Sequence, residues 1–469
     1  GVEACDDGND SNGDVCSVTC RLLSPQLCFG VCDTTGVERS DVFKAESKLT
    51  ASDGAIRDRF GGHLAISGTI AMVGATRDGD NGLKDCSENP DNCGNGEICD
   101  SRGYCVPQNG DYRGSVYVFE RQALSQWAET AKLTASDGVS GDEFGGSLAI
   151  SGSIAIIGAG SDDDNGDNSG SAYVFERQPD GRWTETTKLT ASDGTPYDYF
   201  GTSLAISGTT AIVGAENDGG SAYVFERQPD GRWIETTKLT ASDRAPGDLF
   251  GYSVGISDTT AIFGASGSAY VFELQANGRW AEATKLPTVS IAPPPNSFGF
   301  PVAISGINAI VGARSNDRTG GSVYVYERQA DGRWNETEIL TASDGTQYDG
   351  FGDSLAISGT TAVIGQSDTV AGTGSIYFFE RQADGRWIEI EKLTASDGWQ
   401  SDRFGASVAF SGTTVVVGAD SDDDNGIFSG SAYIYEALPQ CYDVGDDAGA
   451  CFCREGAAGA LCDERPLCG

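Results

Sequence analysis

Short apolar runs alternate with polar turn segments along almost the whole chain, on a period of about fifty residues. One stretch carries the script. Phe200-Gly201 is followed by S-L-A-I-S, G-T-T-A-I-V-G-A, a polar loop, G-S-A-Y-V-F-E-R, the turn Q-P-D-G, and R-W-I-E-T-T-K-L. Four segments rich in β-branched and aromatic residues, separated by turn signals, predict four antiparallel strands. The first two carry small and apolar residues throughout, which predicts burial between neighbouring sheets. The Trp segment alternates, as an outer, half-solvated strand does. Asp230-Gly231 before Trp233 predicts a two-residue hairpin turn with positive φ, and similar D-G or N-G pairs precede Trp183, Trp280, Trp334 and Trp387.

The script recurs. Phe-Gly stands at Phe60, Phe144, Phe200, Phe250, Phe298, Phe351 and Phe404, with spacings of 84, 56, 50, 48, 53 and 53. The spacing of 84 marks an insertion, about residues 82–111, in a loop of the first repeat. Four-stranded units repeated seven times predict an all-β, seven-bladed propeller, because radial packing leaves only short sheet edges. Trp strands follow the first six repeats, from Trp127 to Trp387, and none follows the seventh, which stops at Tyr435-Glu436. The segment F-K-A-E-S-K-L from Phe43 matches the missing piece. It is expected to pair as the outer strand of blade seven and close the ring. A linear solenoid has no use for that permutation.

Charge then narrows the partners. With 31 basic and 69 acidic residues, the net charge of −38 argues against nucleic acid and anionic membrane surfaces and favours cations or other proteins. No apolar run is long enough to cross a bilayer, so no membrane insertion is expected. The chain opens at Gly1 without a charged n-region and apolar h-region, so any secretory signal is expected to have been removed or never to have been present. A single histidine disfavours His-based acid–base chemistry, and no enzyme is expected. His63 occupies the strand position that serine fills in blades two to four. Gly251-Tyr252-Ser253-Val254-Gly255 fits a nucleophile-elbow pattern, yet its sister segments mark it as a first-strand variant.

All 14 cysteines fall in three groups: Cys5, Cys16, Cys20, Cys28, Cys32; Cys86, Cys93, Cys99, Cys105; and Cys441, Cys451, Cys453, Cys462, Cys468. Dense groups around a cysteine-free body read as disulfide-stapled modules of a secreted protein. The expected domains are a cysteine-rich module at 1–41, the propeller at 42–436 and a second cysteine-rich module at 437–469. If the middle group closes on itself, one cysteine remains at each end. That pair either bonds across the seam or joins neighbouring molecules.

The F-G…G-A…G-S-x-Y-V-F repeat resembles the FG-GAP family of integrin α-subunit heads and many surface proteins. C-D-D-G-N-D-S-N-G-D-V-C-S-V-T-C resembles the cysteine-rich repeat of myxobacterial surface proteins, and C-F-C-R-E-G-A-A-G-A-L-C resembles the C-terminal half of an EGF-like module. The integrin-type calcium loop between first and second strands is absent, so that site is not carried over. Acidic loops lie elsewhere, between second and third strands: Asp162-Asp163-Asp164-Asn165-Gly166, Asp422-Asp423-Asp424-Asn425-Gly426 and a weaker one at Asp78. Asp162, Asp164, Asn165, Asp422, Asp424 and Asn425 are the candidate hard-cation ligands, with calcium the expected ion if they hold one; turn formation is the alternative. A D-x4-D-x-F-G pattern, from Asp53/Asp58 to Asp397/Asp402, reads as a fold determinant. Asn9 and Asn335 are N-glycosylation acceptors. The combination of resemblances implies an extracellular adhesive or scaffolding protein. Near-identical repeats without a chemically distinctive loop lean towards a structural subunit of a surface fibre, hair or matrix that associates with itself or with other extracellular proteins. The alternative is a monomeric adhesion or ligand-binding head using the acidic face.

Overall fold

The computed structural model describes residues 43–79, 97–99, 105–107, 112–123, 126–217, 219–287, 297–314, 320–346, 349–367, 372–437, 441–443 and 451–453. Its main unit, Glu46–Tyr435, is a ring of seven four-stranded antiparallel sheets; residues 1–45 and 436–469 belong to a second unit. Blade three sets the pattern, with Ser203–Ser207, Thr210–Ala215, Ser221–Arg227 and Trp233–Leu239 in meander order. Blade seven departs in one way only. Its strands Ser407–Ser411, Thr414–Ala419 and Ser431–Ala437 are completed by Phe43–Leu49, from the other end of the chain. The expected closure is what the molecule does.

The repeated motif explains itself at the joints between blades. Phe200 is fully buried, its ring edge-on to Tyr223 at 5.4 Å and to Phe225 at 6.0 Å. Gly201 has φ +96° and donates its N–H to the Gly214 carbonyl of its own blade at 2.9 Å. Its own carbonyl points the other way, accepts from Ser147 Oγ of blade two at 2.6 Å, and lies where a Cβ on Gly158 would meet it at 2.0 Å. Both glycines of the motif are therefore required by one close approach between blades. The core follows from that approach: Ile156, Val174 and Leu189 of blade two pack on Phe200, Val213, Tyr223 and Trp233 of blade three. Among the described residues such apolar layers lie between successive blades from one to six and between seven and one, and they hold the ring. At the seam, Leu49, Val416 and Ile434 of blade seven pack on Phe60, Val73 and Tyr117 of blade one.

Two local expectations need correction. The first strands are less deeply buried than expected. Ser203–Ser207 is mostly half-exposed, whereas the second and third strands are buried nearly throughout. First strands lie nearest the axis and bond to one another there, as Gly208 N–H does to Ser151 Oγ at 3.2 Å. Leu204 and Ile206 still pack on the apolar layer shared with blade two, and Ser203 and Ala205 are buried on the other side, so the partial exposure comes from the strand's open edge towards the axis. The turn before the Trp strand in blades two to six is also longer than two residues. Gln228 N–H donates to Arg232 O at 2.7 Å and Gly231 N–H to Gln228 O at 2.9 Å, with Gly231 at φ +88°. This is a three-residue loop built on a type I turn with the glycine at positive φ, and the loops with alanine in place of Pro229, at Ala276, Ala330 and Ala383, close with the same bonds.

Candidate functional site: the acidic loop face

The loops joining second to third strands, and those joining one blade to the next, carry the acidic residues. In blade two they converge on a lysine. Lys188, on the outer strand Trp183–Leu189, places Nζ 2.9 Å from Asp137, 2.8 Å from Asp162 and in contact with Asp164. Tyr173 OH donates to Asp137 and to Asp162, each at 2.8 Å, and the ammonium sits 5.0 Å from the Tyr173 ring centroid. The Asp164 N–H donates to Asp162 Oδ1 at 3.0 Å. Burial acts to lower the Lys188 pKa, but the bonds from Asp162, Asp164 and Asp137 outweigh it and carry the group well above the usual lysine range. Burial likewise acts to raise Asp137, and the Lys188 and Tyr173 bonds bring it below the usual carboxylate range.

The same device recurs around the ring with different completeness. In blade seven, Lys48 bonds Asp397 at 2.7 Å, Asp422 at 2.9 Å and Asp424, beneath Tyr433. Lys132 of blade one bonds Asp53 at 2.8 Å and Asp78 at 2.7 Å, with Tyr117 OH on both carboxylates. Blades three, four and six keep one carboxylate each, as Lys238–Asp193, Lys285–Asp243 and Lys392–Asp344. Blade five has lost the charges together. Ile339 stands where the lysine would be, Pro287 and Thr288 replace the start of the T-A-S-D loop, and Tyr324 OH is left without a partner.

This places the candidate cation ligands. Asp162, Asp164, Asp422 and Asp424 do converge, each pair with a third carboxylate, but on an ammonium supplied by the chain itself. Asn165 and Asn425 are exposed at the loop tips. The donor chemistry is right for calcium, yet six to eight oxygens cannot gather around an ion while the lysine holds the centre; the residues as arranged do not fit it. Among the described residues, no group of three or more His, Cys, Asp or Glu side chains is disposed to hold a metal.

The D-x4-D pattern has a structural role at both ends. Its first aspartate bonds the lysine and tyrosine just described. Its second accepts a backbone N–H three residues earlier, as Asp198 Oδ2 does from Thr195 at 2.6 Å and Asp142 Oδ2 from Val139 at 2.7 Å. Burial pushes Asp58 up to about 7 and Asp142 up to about 6, against the backbone bond each accepts. The serine of T-A-S-D is pinned too: Ser192 donates both N–H and Oγ to Glu235, at 2.9 and 2.7 Å.

Sequence reasoning missed a second ionic ring, although its signal, Glu-Arg closing five of the seven third strands, is plain in the repeat. Arg177 forks onto Glu120 of the preceding blade at 3.0 and 2.8 Å, and Arg227 onto Glu176 at 3.1 and 3.0 Å. Arg328–Glu273 and Arg381–Glu327 continue it at 2.9 and 2.8 Å. Leu274 in place of arginine interrupts it beside Glu226. Also missed were the apolar side chains on the loop face. Trp399 is 78% exposed, Phe428 41% and Ile427 38%.

Of the remaining sites, His63 pairs with Gly74 as Ser147 pairs with Gly158, so it holds the serine position of its strand. Ser253 opens the first strand of blade four. Asn335 is exposed on an outer strand. Asn9 and most cysteines lie outside the described residues. The backbones of Cys99 and Cys105, and of Cys441 and Cys453, are register partners in two short hairpins. Among the described residues no helix is long and apolar enough to cross a membrane.

A family model described as the FG-GAP repeat matches residues 43–87, 127–175, 183–225, 233–272, 294–326, 334–379 and 387–435. Among solved structures, a protein from Lactobacillus plantarum is similar with a TM-score of 0.46 and 14% identity, covering 72% of this chain and 86% of its own. A functionally unknown protein from Desulfotomaculum acetoxidans is similar with a TM-score of 0.46 and 13% identity, covering 65% of this chain and 86% of its own. No curated protein matches the chain.

Proposed function

The chain belongs to the FG-GAP repeat family, and from that premise we propose that it is a non-enzymatic extracellular structural protein, a subunit of a cell-surface fibre, hair or matrix. An adhesion or ligand-binding role outside the cell fits this fold, and FG-GAP repeat proteins are typically extracellular or cell-surface. The observation that carries the finer reading is where the chain enters and leaves the ring. Glu46 and Tyr435 lie on adjacent strands of blade seven, with Tyr435 OH donating to Glu46 Oε2 at 3.1 Å. Both cysteine-rich ends therefore issue from one blade of a body stiffened by interblade bonds, a suitable arrangement for linking units in series. Imaging the assembled protein, with and without reductant, tests this. Fibres that come apart on reduction support it, and dispersed single rings under both conditions reject it.

A second reading, a monomeric adhesion or ligand-binding head, is favoured by the exposed Trp399, Ile427 and Phe428 on the acidic face. Exposed aromatic side chains are the usual anchors of protein contacts. In both readings the propeller works by binding other proteins, and the carboxylates clustered at Lys48 and Lys188 are partnered by the chain's own cations.

A further inference from the structure

Blades two and seven carry the same second-to-third-strand loop, which makes each a control for the other. In blade two, Gly166 N–H donates to Asp163 O at 2.9 Å, Asn168 N–H to Asp163 Oδ1 at 2.6 Å and Gly170 N–H to Asp162 O at 2.9 Å. In blade seven, Gly426 N–H donates to Asp423 O at 2.9 Å, Phe428 N–H to Asp423 Oδ1 at 2.6 Å and Gly430 N–H to Asp422 O at 2.9 Å. The tips also do the same job for the next blade. Tyr197 and Tyr199 N–H reach the carbonyls of Asp167 and Asn168, and Arg57 and Arg59 N–H reach those of Ile427 and Phe428. Only the side chains differ. Where blade two has Asp167-Asn168, blade seven has Ile427-Phe428, both exposed, with Phe428 at φ +55° where asparagine is the easier residue. Folding of this loop does not require the apolar pair.

The neighbouring loop repeats the comparison. Trp399 N–H donates to Asp402 Oδ2 as Val139 does to Asp142, Thr195 to Asp198 and Ala245 to Asp248. Alanine, valine and threonine make that turn equally well, so nothing local calls for an indole that is 78% exposed. Lys48 ties the two loops together through Asp397 and Asp424. The blade-seven loop is thus flanked by Trp399 on one side and by the Arg57–Arg59 segment, beside Ile427 and Phe428, on the other. Asp423 and Asp424 are exposed between them.

We propose that the blade-seven rim, made by Trp399, Ile427 and Phe428 around Asp423 and Asp424, is a docking site for a cationic protein segment carrying aliphatic side chains. The charge selects the occupant. A chain of net charge −38 repels a second copy of its own acidic face, whereas lysine or arginine on the partner complements Asp423, beside the Asp424 that Lys48 already holds, while its aliphatic neighbours cover the apolar groups. The proposal rests on the reading of the propeller as a protein-binding module and adds the place and the chemistry.

The test is a fluorescence-anisotropy titration of the whole chain with a labelled peptide of alternating lysine and leucine, and with a lysine–serine peptide as control. The first is expected to bind about tenfold tighter than the second. Grafting the blade-two tip, I427D with F428N, and separately W399T, should each weaken the lysine–leucine peptide about tenfold without lowering the melting temperature. The lysine–serine peptide should bind the variants at least as well. Equal binding of the two peptides by the unaltered chain, or no binding of either, overturns the proposal. If lysine–leucine binding is intact in the folded variants, the site is wrong while the protein-binding reading stands.

Discussion

Replacing Lys188 by methionine removes an ammonium while keeping a long apolar side chain over Tyr173. What remains is Asp162, whose side chain is 3% exposed, with only Tyr173 OH and the Asp164 N–H as donors. Breaking a fully buried pair costs about 3–5 kcal/mol. Here Asp137 and Asp164 are 43% and 59% exposed and can turn to water, so their share is small. Tyr173 OH and the Asp164 N–H still bond Asp162, which lowers the figure further. The expected loss is about 2–4 kcal/mol. For the ring of residues 46–435, unfolding as one unit at about 2.1 cal/mol/K per residue, that lowers Tm by about 2–5 °C. The pH dependence is diagnostic. In the native protein the depressed Asp137 contributes stability above its unfolded value of 3.8 that is lost as pH falls through the folded value. In the variant Asp137 has lost the ammonium that depresses it, so most of this contribution is absent. The gap between the two should therefore narrow as pH falls below about 4. Calorimetry across that range, with added calcium and with a chelator, checks both points. A gap independent of pH, or a native Tm that drops with chelator, refutes the view that the lysine is the resident cation.

Other consequences are as sharp. Gly201→Ala puts a Cβ 2.2 Å from Ser171 O at φ +96° and should cost more than about 4 kcal/mol or prevent folding, whereas Gly208→Ala, with nothing within 4 Å, should cost about 1 kcal/mol; expression and melting distinguish them. Asp58 is held near 7 by burial, so the folded state binds its proton more tightly than the unfolded state. Its contribution favours folding below 3.8 and declines as pH rises to about 7, and D58N should flatten the urea-midpoint profile over that window. Arg177→Ala breaks a forked, half-buried interblade pair and should cost about 1 kcal/mol by urea unfolding, with the effect smaller in high salt.

The ring was legible because its causes are local and repeated. Seven buried phenylalanines, each before a glycine that a neighbouring blade approaches closely, leave the same mark each time, and Phe43–Leu49 matches an outer strand whichever end of the chain supplies it. Details that depend on position in the ring were not legible. The half-exposure of Ser203–Ser207 reflects its place near the axis, and an alternation of small residues does not encode that. The three-residue turn was masked by the Asp-Gly pair, since the same loop forms with proline at Pro229 and with alanine at Ala276. The lysine at the acidic cluster is a matter of spatial convergence, since Lys188 lies on a different strand from the loop of Asp162 and Asp164. Its signal was the joint loss of lysine and aspartate in blade five, where Ile339 replaces the cation. The ionic ring through Arg177 and Glu120 joins different repeats, and reading one repeat at a time hides it.

Hydrogen exchange at the seam tests the closed ring most directly. In the intact chain, the amides of residues 46–49 should be protected to the same degree as those of 431–435 on the neighbouring strand, and both should open only with the ring. Rapid exchange of 46–49 beside a protected 431–435 would mean that blade seven ends in a free edge, and the account of closure would be wrong.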